Sequence, residues 1–182
     1  MGQNIKVRES TQKKNTMTRE CIFSALLILM EKKPYEEITI TDITKKAGVS
    51  RMSYYRLYES KDDILEQRFR EIYKEGMERM QEAQIADKYQ FVTQLFRIAE
   101  KNHVLIEALL HAHLHDLVQK NLIQYCTYLA EYIFHLDMES QKTDYWIYMV
   151  SGKFSMLIAR WIEKGRQEPP EEMADFSTKD LF

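Results

Sequence analysis

Thr39-Ile-Thr-Asp-Ile-Thr-Lys-Lys-Ala-Gly-Val-Ser-Arg-Met-Ser-Tyr-Tyr-Arg-Leu-Tyr58 decides the fold. Thr39 and Asp42 form a T-x-x-D pair, in which the hydroxyl caps a free backbone N–H and the carboxylate reaches back to the cap residue. Ile40, Ile43 and Ala47 follow at spacings of three and four, an apolar helical stripe that ends at Gly48, the residue best able to take the left-handed conformation that stops a helix. Ser50 is a good cap for a second helix, in which Tyr54 and Leu57 face inward and Arg51, Met52, Ser53, Tyr55 and Arg56 face outward. Two short helices on a glycine-containing turn make a helix-turn-helix, whose second helix enters the major groove. The same pattern suits an ordinary helical hairpin in an all-α core. The outward face favours DNA, since no acid occurs from Ser50 to Tyr58 while two arginines and several hydroxyls do.

Charge is distributed to match. The net charge of −2 hides an asymmetry: residues 1–61 hold 12 Lys and Arg against 7 Asp and Glu, and residues 62–182 hold 14 against 21. A basic head and an acidic remainder suit a chain that meets an anion with one end. Residues 1–15, with Lys6, Arg8, Lys13 and Lys14, read as a mobile basic arm able to touch phosphates or the minor groove. From about Thr16 to Lys32, Ile22, Ala25, Leu26, Leu29 and Met30 form a first core helix that Pro34 interrupts.

After Tyr58, Ser60-Lys-Asp-Asp63 is another capping box, opening a helix through about Glu82. Lys61 in its first turn is a plausible phosphate clamp. Further helices are expected near 87–100, 103–112, 115–136, 140–165 and 170–179. With three prolines, five glycines and no sustained strand period, the fold class is all-α: a helix-turn-helix domain over 1–62 and a helical domain over 63–182. No run of about 18 apolar residues occurs, so no membrane span and a cytoplasmic location are expected. Cys21 and Cys126 lack metal-ligand spacing and read as core thiols.

Residues 18–65 resemble the tetracycline-repressor-like (TetR/AcrR) family of bacterial regulators. The resemblance is carried by Thr18-Arg19-Glu20, Tyr35 with Thr39, Asp42-Ile43, Ala47-Gly48-Val49-Ser50 and Tyr55-Arg56-Leu57-Tyr58-Glu59-Ser60-Lys61. The chain departs from the family pattern at Thr44, where a small alanine is common, at Met52, where glycine is frequent, and at Leu57, where a second aromatic is usual. The resemblance implies Thr39, Thr41, Ser50, Arg51, Met52, Ser53, Tyr55, Arg56 and Lys61 as DNA contacts. Tyr55, Thr41 and Lys61 would mostly hold phosphates, and Arg51 and Arg56 would meet bases or backbone. Met52 would meet a thymine methyl or obstruct the approach. The partners implied are double-stranded DNA with a palindromic operator, a second copy of the chain and a small-molecule effector.

The C-terminal residues support an effector and dimerisation domain. The 140–165 helix is apolar on most of its circumference, from Trp146 to Trp161, which places it centrally or against a partner. Ser151, Gly152, Ser155 and Ala159 form a strip of small residues that, with Trp161, is the candidate dimer contact; packing within one chain is the other reading. Phe96, His103, His111, Tyr125, Tyr128, Trp146 and Met149, with Tyr132 and Tyr145 nearby, are candidates for a small-molecule pocket, or else an aromatic core. His111, His113 and His115 offer at most two ligands on one helical face, so no metal and no cofactor are expected.

The function expected is a homodimeric, effector-responsive DNA-binding regulator, a repressor in kind. A second reading is a co-activator of the same fold that works through a protein partner and no longer reads an operator. No nucleophile elbow, phosphate loop, HExxH or CxxC supports an enzyme.

Overall fold

In the computed structural model, Pro34 and Gly48 divide the first part of the chain as their chemistry requires. The structure describes residues 2–179, with side chains from Lys14 onward. Helix α1 (Gly2–Met30) is followed by a 3-10 turn (Tyr35–Glu37), α2 (Ile40–Ala47), α3 (Arg51–Tyr55) and α4 (Lys61–Glu82). α5 (Lys88–Lys101), α6 (His103–His111), α7 (His115–Tyr128), α8 (Gln141–Glu163) and α9 (Pro170–Thr178) complete the all-helical architecture. The chain divides into two compact units, Met1–Arg68 and Phe69–Phe182, with the division inside α4.

In the first unit, α1 packs along α2 and α2 against α3; Ile22, Ala25, Leu26 and Met30 of α1 are buried, as are Ile43, Tyr54, Leu57, Ile64 and Leu65 further along the chain. Thr39 Oγ1 accepts the Asp42 N–H at 3.1 Å and Asp42 Oδ2 accepts the Thr39 N–H at 3.0 Å, so the capping box closes in both directions. Gly48 stops α2 at φ 66°, ψ 30°. Thr44 fits between the helices by donating its hydroxyl to the Thr41 carbonyl at 3.2 Å.

Local expectations are adjusted in three places. α1 is helical from Gly2, so the backbone does not begin as the arm expected over 1–15; the phosphate role of Lys6, Arg8 and Lys13 lies outside the described side chains, and Lys14 is exposed. α3 spans five residues, and Leu57 and Tyr58 turn back to the Tyr54 carbonyl. At the start of α4, Ser60 Oγ accepts the Asp63 N–H at 3.1 Å, as the expected cap requires, and the Asp63 carboxylate also accepts the Glu59 N–H at 3.1 Å. Of the two thiols expected in the core, Cys126 is buried, with burial pushing its pKa up to about 12, whereas Cys21 is exposed on α1.

In the second unit α5 packs along α9 and α7 along α8. Phe96 of α5 meets Phe154 and Trp161 of α8 edge-on, with ring centroids 6.4 and 5.4 Å apart. The Trp161 indole N–H donates to the Glu168 carbonyl at 3.0 Å, and Lys153 Nζ donates to the Ser177 carbonyl at 3.0 Å, fixing the approach and end of α9. α7 continues as a π-helical turn, Leu129–Ile133, in which Phe134 N–H reaches the Leu129 carbonyl. No described helix is long and apolar enough to cross a membrane.

Candidate nucleic-acid interface

The surface of the helix-turn-helix follows from its caps. Ser50 Oγ accepts the Ser53 N–H at 3.0 Å, which starts α3 directly after the turn and leaves Arg51, Met52, Tyr55 and Arg56 exposed. Tyr54 points the other way and is fully buried, edge-on to Tyr55 at 5.5 Å. Thr41 and Ser50 are exposed and Ser53 is half-buried. Lys45 and Lys46, exposed at the end of α2, add two cations that were not among the candidates, although they stand in the sequence beside the turn.

Asp42 is the one acid between Thr39 and Tyr58, and it is occupied. Lys33 Nζ lies 2.7 Å from its Oδ2, and the Thr39 hydroxyl donates to the same oxygen at 2.7 Å. The Lys33 ammonium and the Thr39 donors hold the Asp42 carboxyl well below the usual carboxylate range. The motif therefore presents cations, hydroxyls and one methionine to solvent, with its only carboxylate neutralised. Such a face suits a polyanion.

Several candidate contacts make intramolecular bonds, among them Ser50, whose hydroxyl accepts the Ser53 N–H and donates to Ser53 Oγ, each at 3.0 Å. Thr39 spends its hydroxyl on Asp42. Lys61 Nζ donates to the carbonyls of Tyr35, Glu36 and Ile38 and lies 4.4 Å above the Tyr35 ring, while the Tyr35 hydroxyl donates to Asp62 at 2.6 Å. These groups clamp the start of α4 to the 3-10 turn.

In the second unit a cavity of about 50 Å³ lies among α4, α5, α6, α7 and α8, walled by carbon from Phe69, Leu95, Leu105, Val118, Leu122 and Ile158. Asn102, Asn121 and Tyr125 also line it. Of the seven pocket candidates the structure brings Tyr125 alone to this cavity. Phe96 is sealed in the core, and Tyr128 is half-buried and stacks between Phe91 and Tyr132. Trp146 packs on Phe134 at 5.5 Å. His103 is half-buried beside the Glu100 carbonyl, His111 is exposed, and Met149 is 65% exposed on the outside of α8. Neither asparagine was a candidate. Each turns its amide N–H onto its own helix, Asn102 to Ile98 and Asn121 to Leu117, which no sequence pattern marks.

α8 also faces differently from the small-residue reading. Ser151, Ser155 and Trp161 are buried inside the chain, and Gly152 and Ala159 are half-buried. The outer face carries Tyr145, Tyr148, Met149 and Met156, with Phe176 of α9 likewise exposed. Among the described residues no three His, Cys, Asp or Glu side chains gather as a metal site, and the His113 and His115 rings stand 6.4 Å apart.

A short α2, a glycine turn and an exposed, acid-free α3 define a helix-turn-helix DNA-binding protein. Residues 22–67 match the model of bacterial regulatory proteins of the tetR family, and residues 86–179 match a transcriptional regulator C-terminal region of the same family. The chain belongs to the TetR family of transcriptional regulators, which are not enzymes. It is 42% identical over 50 residues to the uncharacterized HTH-type transcriptional regulator YxbF of Bacillus subtilis; the match spans 27% of this chain and 13% of that protein. Its fold is similar to a TetR regulator from Streptococcus agalactiae, with a TM-score of 0.65 and 16% identity over 96% of this chain and 98% of that one. It is also similar to the dihydroxyacetone kinase operon activator DhaS, with a TM-score of 0.57 and 15% identity over 90% and 93% of the two chains.

Proposed function

We propose that this TetR-family regulator is a homodimeric repressor that binds a palindromic operator through α3 and is released by a small molecule bound in its C-terminal unit. The observation that carries the DNA part is the exposed face of Arg51, Met52, Tyr55 and Arg56 beside a neutralised Asp42. Thr41 and Ser53 supply hydroxyls for phosphates, Ser50 holds the start of α3 as its cap, and Lys45 and Lys46 add long-range attraction. Lys61 acts through the geometry of the turn it holds.

Dimerisation is supported by the outer face of α8. Tyr145, Tyr148, Met149 and Met156 recur at helical spacing and remain 53–73% exposed, an apolar stripe of a kind that marks association surfaces. Gly152 lies in the middle of it, where an added Cβ would meet only the Gln119 amide at 4.0 Å. Two copies related by a twofold axis bury the stripe against itself and pair two reading heads with two half-sites.

The effector reading is supported by the Asn102, Asn121 and Tyr125 cavity. A drug-sized ligand needs several hundred Å³, so a cavity of about 50 Å³ admits one only by outward movement of its walls. That requirement gives the ligand a differential affinity for two conformations, which any such switch demands.

The test is selection of bound duplexes from a random pool, followed by a reporter whose promoter carries the selected sequence. Paired half-sites and lower expression with the protein present support the reading. A bound sequence with unchanged or raised expression would refute repression, and absence of any selected sequence would favour the co-activator alternative.

A further inference from the structure

Met52 is the most exposed large apolar side chain among the described residues, at 80% of its full surface. It stands second in α3, between Arg51 and Ser53 and one turn before Tyr55 and Arg56. Arginine, serine and tyrosine at such positions can bond to phosphates or base edges. Methionine has no donor and only a weak acceptor, and it carries no charge to attract a phosphate.

Of the groups displayed along the major groove, nearly all are hydrogen-bond donors or acceptors; the C5 methyl of thymine is the apolar one. A thioether pressed on guanine O6 and N7 strips water from them and returns no bond, and against the cytosine amino group its sulfur returns only a weak one. Against a thymine methyl the same chain buries apolar surface on both sides, and its flexibility lets it find the contact. We propose that Met52 makes the protein select a thymine, through its 5-methyl group, at one symmetry-related position in each operator half-site. The proposal rests on the reading that α3 lies in the major groove.

The experiment replaces thymidine by deoxyuridine one position at a time in the selected duplex, which removes the methyl and keeps base pairing. Binding is compared for the parent protein, Met52→Gly and Met52→Gln. The parent should lose about fourfold at one position per half-site, the ~0.8 kcal/mol of a buried methyl-sized group. Both variants should bind the two duplexes equally there and keep the rest of the consensus. Equal loss in parent and variants, or no sensitive position on a duplex that is well bound, would overturn the role of Met52 while leaving operator binding intact. Failure to select any duplex would overturn it together with the α3 reading.

Discussion

Lys61 places its ammonium 4.4 Å above the ring of Tyr35 and in the same position donates to that residue's carbonyl oxygen. With the Glu36 and Ile38 carbonyls also bound, it closes the turn that delivers Thr39 to its cap. Lys61→Met should therefore destabilise the protein by about 1.5–3 kcal/mol, the range for hydrogen bonds to a charged group. The salt dependence of DNA binding should stay unchanged. A phosphate-binding lysine would instead lower the slope of log affinity against log salt by about one, so a salt titration of the variant separates the two roles.

Thr39→Ala removes the cap of α2 and should cost about 1 kcal/mol in urea unfolding. The acid side of the same box has a signed pH dependence. Because Lys33 and Thr39 depress the folded-state pKa of Asp42, its contribution is present above the ordinary carboxylate pKa and is lost as pH falls through the folded value. The difference in stability between the parent and Asp42→Asn should be full at neutral pH and shrink as the pH drops below about 4. A difference that grows on acidification would contradict the pairing.

The Tyr54 hydroxyl is buried without a hydrogen-bond partner, and burial raises its pKa. Removing an unsatisfied buried hydroxyl releases a penalty, so Tyr54→Phe should leave stability unchanged or raise it by up to about 1 kcal/mol. Loss of more than that on urea unfolding would show that the hydroxyl makes a bond.

Gly76 in α4 leaves room for Tyr125: a Cβ there would stand 2.8 Å from both the Tyr125 hydroxyl oxygen and Ile98 Cδ1. Alanine is favoured over glycine in a helix by about 1 kcal/mol, yet Gly76→Ala should be destabilising by about 1–3 kcal/mol because it overpacks the wall. Adding Tyr125→Phe removes one of the two clashes. The double variant should lose less than the sum of the singles, as unfolding of all four proteins would show.

Met156→Glu places a charge on the outer face of α8 where Met156 is 73% exposed. It should leave the helical content unchanged and convert a dimer into a monomer in sedimentation, while Ser151→Ala should not change the oligomeric state. A dimer that survives Met156→Glu and Tyr148→Glu together would remove this face from the interface.

The helix-turn-helix was legible in sequence because its determinants are local. A threonine with an acid three residues on, a glycine at the stop and a serine before the next helix each act within one turn. α8 was legible as a helix but not in its orientation. Apolar residues surround it, and only packing against α7 and Phe96 decides that Ser151 and Ser155 turn inward while Met149 and Met156 turn out. The bonds of Lys61 were not legible for a related reason, since the carbonyls it meets lie 23–26 residues away. Asn102 and Asn121 were invisible as cavity residues because their own neighbourhoods read as an ordinary helix-end amide and an ordinary mid-helix amide.

Fluorescence anisotropy of the selected duplex between about 50 and 200 mM salt, with the parent protein and Arg56→Ala, tests operator reading by α3 most directly. Binding of the parent should fall steeply with salt, because it releases the counterions condensed on the phosphates, and Arg56→Ala should weaken it by about 5- to 150-fold, the ~1–3 kcal/mol of a lost arginine contact. Affinity that is indifferent to salt and to the arginine would contradict DNA reading by this helix.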